Sequence, residues 1–209
     1  MVEILQIAPQ DIEAESFRII SSELGPTSFT AEEFAVVQRT IHATGDFSFA
    51  ENLRFHNHAI EAGLAAIRSG KNILVDVNMA ASGVSKAMLA HFGGKVICHI
   101  SEPETAAMAA KNGTTRSDAA ITRATEENIG IVAVGNAPTA LLKAMELIEA
   151  GTFSPDLIIG APVGFVNAAE SKELLAQKPY PHIVALGRKG GTPVAVASVN
   201  ALIRLAKAS

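Results

Sequence analysis

Five short runs of the chain are apolar without alternation: NILVDV (72–77), KVICHI (95–100), GIVAVG (130–135), DLIIGA (156–161) and HIVALG (182–187). They are rich in Val and Ile, and a continuous apolar run of this length is what a parallel strand covered on both faces requires. Helical stretches lie between them and supply the crossovers. The pattern therefore predicts an α/β fold, a three-layer α/β/α sandwich around an open, parallel, five-stranded sheet. Helix starts are predicted where a hydroxyl precedes a glutamate by three residues, at Thr30 with Glu33, Ser48 with Glu51 and Ser101 with Glu104. Stops are predicted at Gly45, Gly70, Gly113 and Gly151, where a left-handed residue would close the last turn. Pro179 and Pro181 flank Tyr180 and read as a stiff connection before the last strand. With no repeat, low-complexity tract or linker, residues 1–209 are expected to form a single domain rather than two small ones.

Composition narrows the partners. Hydrophobic residues make up 48% of the chain and charged residues 18%, an ordinary globular balance. Seventeen basic against twenty-one acidic residues give a formal charge of -4, and no block of Lys or Arg could neutralise a run of phosphates, which argues against nucleic acid. The one cysteine, Cys98, lies inside KVICHI and reads as a small buried hydrophobe, in keeping with a reducing cytoplasm. The first residues, MVEILQIAPQDIEAE, lack a basic leader with a long apolar stretch, and nowhere do about 18 apolar residues run together. A soluble, cytoplasmic protein with no membrane partner is expected.

In an open parallel sheet, ligands gather at the carboxyl ends of the strands. Those ends here carry NMAASG (78–83), SEPE (101–104), GNAPT (135–139), GAPVGF (160–165) and GRKGG (187–191), read as loops. Neither G-x-G-x-x-G nor G-x-x-x-x-G-K-[ST] occurs, which argues against a nucleotide cofactor. A phosphorelay receiver would need an aspartate ending its third strand, and GIVAVGN lacks one. His56 and His58 fall two apart in an expected helix, pointing to different sides, a poor metal pair. His91, His99 and His182 stand singly beside apolar runs and read as satisfied structural histidines. Asp76, inside an apolar run, needs a partner, either as a structural hydrogen-bonding group or as support for the neighbouring loop.

The stretch RTIHATGDFS (39–48) has more chemical content. A helix beginning at Thr30 puts Phe34, Val37 and Ile41 on one face, and Arg39 and His42, three apart, on a neighbouring one where they can serve one pocket. His42 falls in the last turn, where the helix dipole favours a protonated imidazole. That placement suits a general acid, and equally a histidine that only stabilises the helix end. Ser16 lies four residues after Ile12 and four before Ile20, so a hydroxyl interrupts an apolar stripe; a bond back to the preceding turn would also explain it. Arg116 in NGTTRSD, and Arg188 with Lys189 in GRKGG, are exposed-looking cations, each alone a solvated charge and together a site for carboxylates.

Taken in order, IEAESFRII (12–20), VVQRTIHATGDF (36–47), DVNMAASGV (76–84), VGNAPTALL (134–142), GAPVGFVNAAESK (160–172) and GRKGGTPVAVASVNAL (187–202) resemble the precorrin-8X methylmutase family of cobalamin biosynthesis, also called cobalt-precorrin-8 methylmutase. The resemblance spans nearly the whole chain. It implies a flavodoxin-like fold, a homodimer, and an isomerase that moves a methyl group from C11 to C12 of a ring-contracted tetrapyrrole. The product would be hydrogenobyrinate or its cobalt form. No cofactor or metal is implied, because the migrating methyl is already on the substrate. Carried onto this sequence, the family's proton-donating and proton-accepting histidine falls on His42 and its substrate-contacting serine on Ser16. Its two arginines fall on Arg39 and Arg116. Met79, Val163 and Phe165 are then expected as apolar walls over the ring, and Ser82 as a further substrate contact. DVNMAASGV departs from the pattern at Ala80 and Ala81, where a bulkier or acidic residue is expected. A non-catalytic tetrapyrrole carrier, and another α/β enzyme acting on a phosphorylated or carboxylated metabolite, are the competing classes.

Overall fold

The computed structural model describes residues 6–208. The expectation of no leader falls partly on residues 1–5, which lie outside the described residues. All five apolar runs are strands, and a sixth joins them: β1 (Leu53–Phe55), β2 (Asn72–Val75), β3 (Val96–Ile97), β4 (Ile129–Val134), β5 (Leu157–Gly160) and β6 (His182–Ala185) form one sheet in the order β1-β6-β5-β4-β2-β3. Strands β2 to β6 are parallel, whereas β1 pairs antiparallel with β6 at the edge. The expected five-stranded, all-parallel sheet is thus corrected to six strands with one antiparallel edge. Three residues, Leu-Arg-Phe, carry no periodicity of their own; they become a strand because Leu53 pairs with Ala185 and Phe55 with Ile183.

Helices α1 (Ile12–Leu24) and α2 (Ala31–Thr44) precede a short α3 (Phe49–Asn52), and α4 (Ala59–Arg68) links β1 to β2. After β2 come α5 (Asn78–Gly83) and α6 (Lys86–Ala90), after β3 come α7 (Pro103–Asn112) and α8 (Arg116–Arg123), and α9 (Pro138–Glu149), α10 (Ala168–Ala176) and α11 (Thr192–Ala208) follow β4, β5 and β6. Two cores explain the unbroken apolar strands. Ile73, Val75, Ile131, Ala133, Ile183 and Ala185 enter one core with Val37 and Ile41 of α2, Ile67 of α4 and Leu202 of α11. Their neighbours Leu74, Val132, Val134 and Val184 enter the other, with Ile121 of α8, Leu141 of α9 and Leu175 of α10. Each fully buried aliphatic side chain contributes about 1.5–3 kcal/mol, so alternate residues of one strand stabilise opposite layers. Helix α11 is buried on most sides because it packs on the sheet and on α2 at once; Ala195, Ala197, Ala201 and Ala206 keep that approach short.

One predicted capping box forms: Thr30 accepts from the Glu33 N–H at 3.2 Å while Glu33 accepts from the Thr30 N–H at 2.9 Å. Two do not, and both hydroxyls are taken by distant partners instead. Ser48 Oγ accepts from Lys189 Nζ at 3.0 Å, and Ser101 Oγ accepts from Asn78 Nδ2 at 2.6 Å. An unforeseen box, Thr115 with Asp118, starts α8. Gly45 closes α2 at φ 65°, a left-handed conformation in which its N–H reaches the Ile41 carbonyl at 2.7 Å. Gly70, Gly113 and Gly151 also have positive φ.

The histidines divide. His99 is structural as expected, its ring nitrogens 2.8 Å from Glu102 and 2.5 Å from Glu127. Cys98 beside it is half-buried, and burial pushes its thiol up. His91 is exposed, edge-on to Phe92. His56 and His58 lie in the turn between β1 and α4 rather than in a helix, with rings 5.9 Å apart, and His56 sits 5.4 Å from the buried His182 ring. Burial pushes His182 below its ordinary 6.5, against the opposing hydrogen bond from its Nδ1 to the Tyr180 carbonyl, and the nearby His56 adds to the lowering. The folded state therefore binds this proton less readily than the unfolded chain. The contribution to stability is complete above the unfolded value and is lost as pH falls through the depressed folded one. Thermal melts are expected to shift downward between about pH 7 and pH 5, and His182→Gln to flatten that dependence; equal slopes for both proteins would contradict the assignment.

Candidate active site

Helices α1 and α2 form a hairpin pinned by Gln38, whose Nε2 donates to the Phe17 carbonyl at 3.0 Å and to Ser21 Oγ at 2.8 Å. Phe17 thereby presents its ring to the last turns of α2. The His42 ring meets it edge-on with centroids 5.3 Å apart, and the Arg39 guanidinium lies over it at 4.9 Å. Both geometries are favourable for an aromatic face. Arg39 is also gripped by Glu13, its two terminal nitrogens 3.2 and 3.3 Å from the carboxylate oxygens, which holds the Glu13 carboxyl below its usual range. His42 itself is exposed, in the final turn. Ser16 lies one turn beyond Glu13, and its hydroxyl donates to the Ile12 carbonyl at 2.8 Å. The back-bond is therefore real, and it leaves the hydroxyl oxygen able only to accept from a ligand.

The end of α2 is tied to the loop after β6. Asp46 Oδ1 accepts from the Ser48 N–H at 2.9 Å, while Lys189 Nζ donates to Asp46 Oδ2 at 2.6 Å. Lys189, with help from Ser48, holds the Asp46 carboxyl down to about 2. The 187–191 turn that delivers Lys189 is locked on the segment after β5. The Gly191 N–H donates to the Ala161 carbonyl at 2.7 Å and the Gly164 N–H to the Arg188 carbonyl at 3.3 Å. A Cβ on Gly190 would collide with the Ala161 carbonyl oxygen, so the two backbones touch there because residue 190 has no side chain. Above this contact the Arg188 guanidinium lies 5.7 Å from the Phe165 ring. The end of α2, whose last turn carries His42, is thus tied to the loop at the carboxyl end of β6, which in turn meets the loop after β5.

Asp76, just past β2, serves both roles open to it: its buried carboxylate accepts from the N–H groups of Gly135, Asn136 and Ala137 at 3.0, 2.8 and 2.7 Å. Burial pushes this carboxyl up, against those donors. NMAASG, expected as a loop, is helix α5. It carries Met79, 70% exposed, and Ser82, whose hydroxyl donates to the Asn78 carbonyl at 3.0 Å. Ala80 between them is fully buried in the core, so its small size matches the space beneath α5. Val163 and Phe165 are exposed, Phe165 by 85%.

The structure brings Arg39 and His42 together on the Phe17 ring, next in the chain to Ser16, and places Met79 and Ser82 on a helix packed over the same core. Arg116 is not brought to them: it is the first residue of α8, exposed, and α8 packs with α7 and α9 on the opposite face of the sheet. Phe17, Glu13 and Asp46 went unread in the sequence. Only Asp46 carried a signal, since Asp-x-Ser after a helix-closing glycine is the pattern of a side chain bonding its own backbone two residues on. An open cleft of about 690 Å³ lies beside this region, between the 24–29 connection and α3, but meets it only through Phe47 and Ser48.

Comparison with known proteins bears on this arrangement. A sequence-family model described as CbiC, precorrin-8X methylmutase, matches residues 11–205. The cobalt-precorrin-8 methylmutase of Priestia megaterium is 46% identical over 203 residues, covering 97% of this chain and 90% of that protein. The precorrin-8X methylmutase of Pseudomonas aeruginosa is 41% identical over 196 residues, covering 92% and 94% respectively. A crystal structure of precorrin-8X methyl mutase from Thermus thermophilus matches with a TM-score of 0.87 at 46% identity, covering 95% of this chain and 98% of that one.

Proposed function

The chain belongs to the precorrin-8X methylmutase family, and from that premise we propose how its residues carry out the reaction. It is an isomerase of cobalamin biosynthesis. The substrate is precorrin-8X or its cobalt form, and the methyl group on C11 migrates to C12 by a 1,5-sigmatropic shift to give hydrogenobyrinate or cobyrinate. The C11–methyl bond breaks as the C12–methyl bond forms, with no net gain or loss of electrons, so neither a cofactor nor a methyl donor takes part.

The observation that carries this reading is the position of His42, exposed in the last turn of α2, edge-on to Phe17 and one turn from Arg39. A sigmatropic shift needs one particular tautomer of the macrocycle. His42 lends a proton to reach that tautomer and takes one back afterwards, so the balance of protons is zero. Ser16 accepts a hydrogen bond from the substrate, Arg39 holds its carboxylate arms, and Met79, Ser82, Val163 and Phe165 border the ring. The protein works as a cytoplasmic homodimer of single-domain subunits, 1–209, without nucleic-acid or membrane partners. No helix among the described residues is long and apolar enough to cross a membrane. The order of the parallel strands, β3-β2-β4-β5-β6, supports a flavodoxin-like reading of the fold.

The visible spectrum of the C11-methylated precursor tests the proposal. With protein well below one equivalent, conversion is expected to run to completion. A change that stops at one equivalent would instead identify a carrier.

A further inference from the structure

Lys172, on α10, is fully buried. A buried lysine without a carboxylate beside it costs free energy that the fold must offset elsewhere. Its ammonium donates to the carbonyl oxygen of Lys189 at 2.7 Å, and burial alone pushes the group down to about 8. That carbonyl belongs to the middle of the 187–191 turn, which is otherwise held to the 161–164 segment by two backbone hydrogen bonds. From the same residue the Lys189 side chain runs outward, bonding Asp46 at 2.6 Å and Ser48 at 3.0 Å. Asp46 follows Gly45, the residue that closes α2, and its N–H lies 3.3 Å from Thr44 Oγ1, whose own proton goes to the Thr40 carbonyl at 2.8 Å. Lys172, Lys189 and Asp46 thus form one line of contacts that begins inside the protein and ends at the turn of α2 bearing His42.

We propose that Lys172 is a positioning residue for the reaction: by holding the Lys189 carbonyl it fixes the 187–191 turn, and through the Lys189–Asp46 ion pair it fixes the end of α2 and the His42 imidazole. Nothing needs to pass through Lys172 chemically. Its role follows from geometry, because a misplacement of the order of an ångström at the reacting group lowers rates steeply. Lys189 is the link that can be cut independently, since its side chain is 58% exposed.

This inference rests on the methylmutase reading, and its test separates the two. Lys172→Met, Lys189→Met and the double variant are made in the full chain, with Lys172→Leu as a second apolar replacement. Exchange of a buried ammonium for an apolar side chain of similar volume is commonly tolerated by the fold. Each single change is expected to lower kcat roughly tenfold with KM little altered, and the double variant to lie no lower than the worse single one, because the two lysines act in series. The imidazole resonances of His42, read by NMR without substrate, are expected to move alike in all variants. Losses that multiply in the double variant, or a kcat unchanged by Lys172→Met, would overturn the proposal, as would His42 resonances untouched by the substitution. Absence of turnover in the unaltered protein would instead sink the methylmutase reading, and the NMR comparison would still decide the role of Lys172.

Discussion

Replacing His42 with alanine is expected to lower turnover by about 10²–10⁴-fold, the range that general acid–base catalysis supplies, with substrate affinity little changed. The imidazole is exposed and its ring stands at right angles to that of Phe17, so truncation leaves no cavity in the core. A histidine in the last turn also interacts with the helix dipole, and losing that interaction costs about 0.3–1 kcal/mol. Stability therefore falls slightly whether His42 is an acid or only an end-stabiliser, and cannot discriminate the two. Turnover can: an end-stabiliser predicts an enzyme of nearly full kcat, because Gly45 and the Asp46–Lys189 pair still close the helix. His42→Ala with full kcat and unchanged KM would remove the proton-transfer role. Arg39 supplies a contrast. It is held between Phe17 and Glu13, and its loss should raise KM more than it lowers kcat if it grips a carboxylate arm.

The second large effect is expected on stability. Asp76→Ala should lower the unfolding free energy by about 2–4 kcal/mol, measured by chemical denaturation. Three backbone N–H groups, of Gly135, Asn136 and Ala137, converge on this carboxylate. Leaving buried donors unsatisfied costs about 1–3 kcal/mol each, while relief of the desolvated charge returns part of that. The balance has a pH signature. Burial pushes the Asp76 carboxyl up, so the folded protein binds this proton more readily than the unfolded chain. Its contribution is full below the unfolded value and is lost as pH rises through the folded one. The stability deficit of Asp76→Ala should therefore shrink as pH rises from acid to neutral. A deficit that grew instead would mean the three donors outweigh burial.

The five parallel strands could be read from the chain because burial on both faces leaves no polar alternation to obscure them, as Ile73, Leu74 and Val75 show by entering the two cores in turn. The helix stop at Gly45 was equally local: a left-handed residue favours glycine whatever surrounds it. Arg39 and His42 could be placed together because a helix puts residues three apart side by side. Their pocket chemistry came from resemblance rather than spacing.

What escaped the sequence depended on partners far along the chain. Ser48 and Ser101 carry the same capping pattern as Thr30, yet Lys189 and Asn78 occupy their hydroxyls, and no local rule chooses between a neighbour and a residue 141 positions away. Strand β1 exists only because β6 offers it an edge. Lys172 reads in the sequence as an ordinary polar residue of a helix and becomes a buried anchor only when the 187–191 turn folds over it. Local pattern, then, settled the five parallel strands, the main helix starts and stops and the Arg39–His42 pair, since each follows from backbone geometry within a few residues. Tertiary structure settled which hydroxyls cap, where the sheet ends and what ties the end of α2 to the 187–191 turn, since hydrogen bonds and burial form between groups that only the folded chain brings within reach.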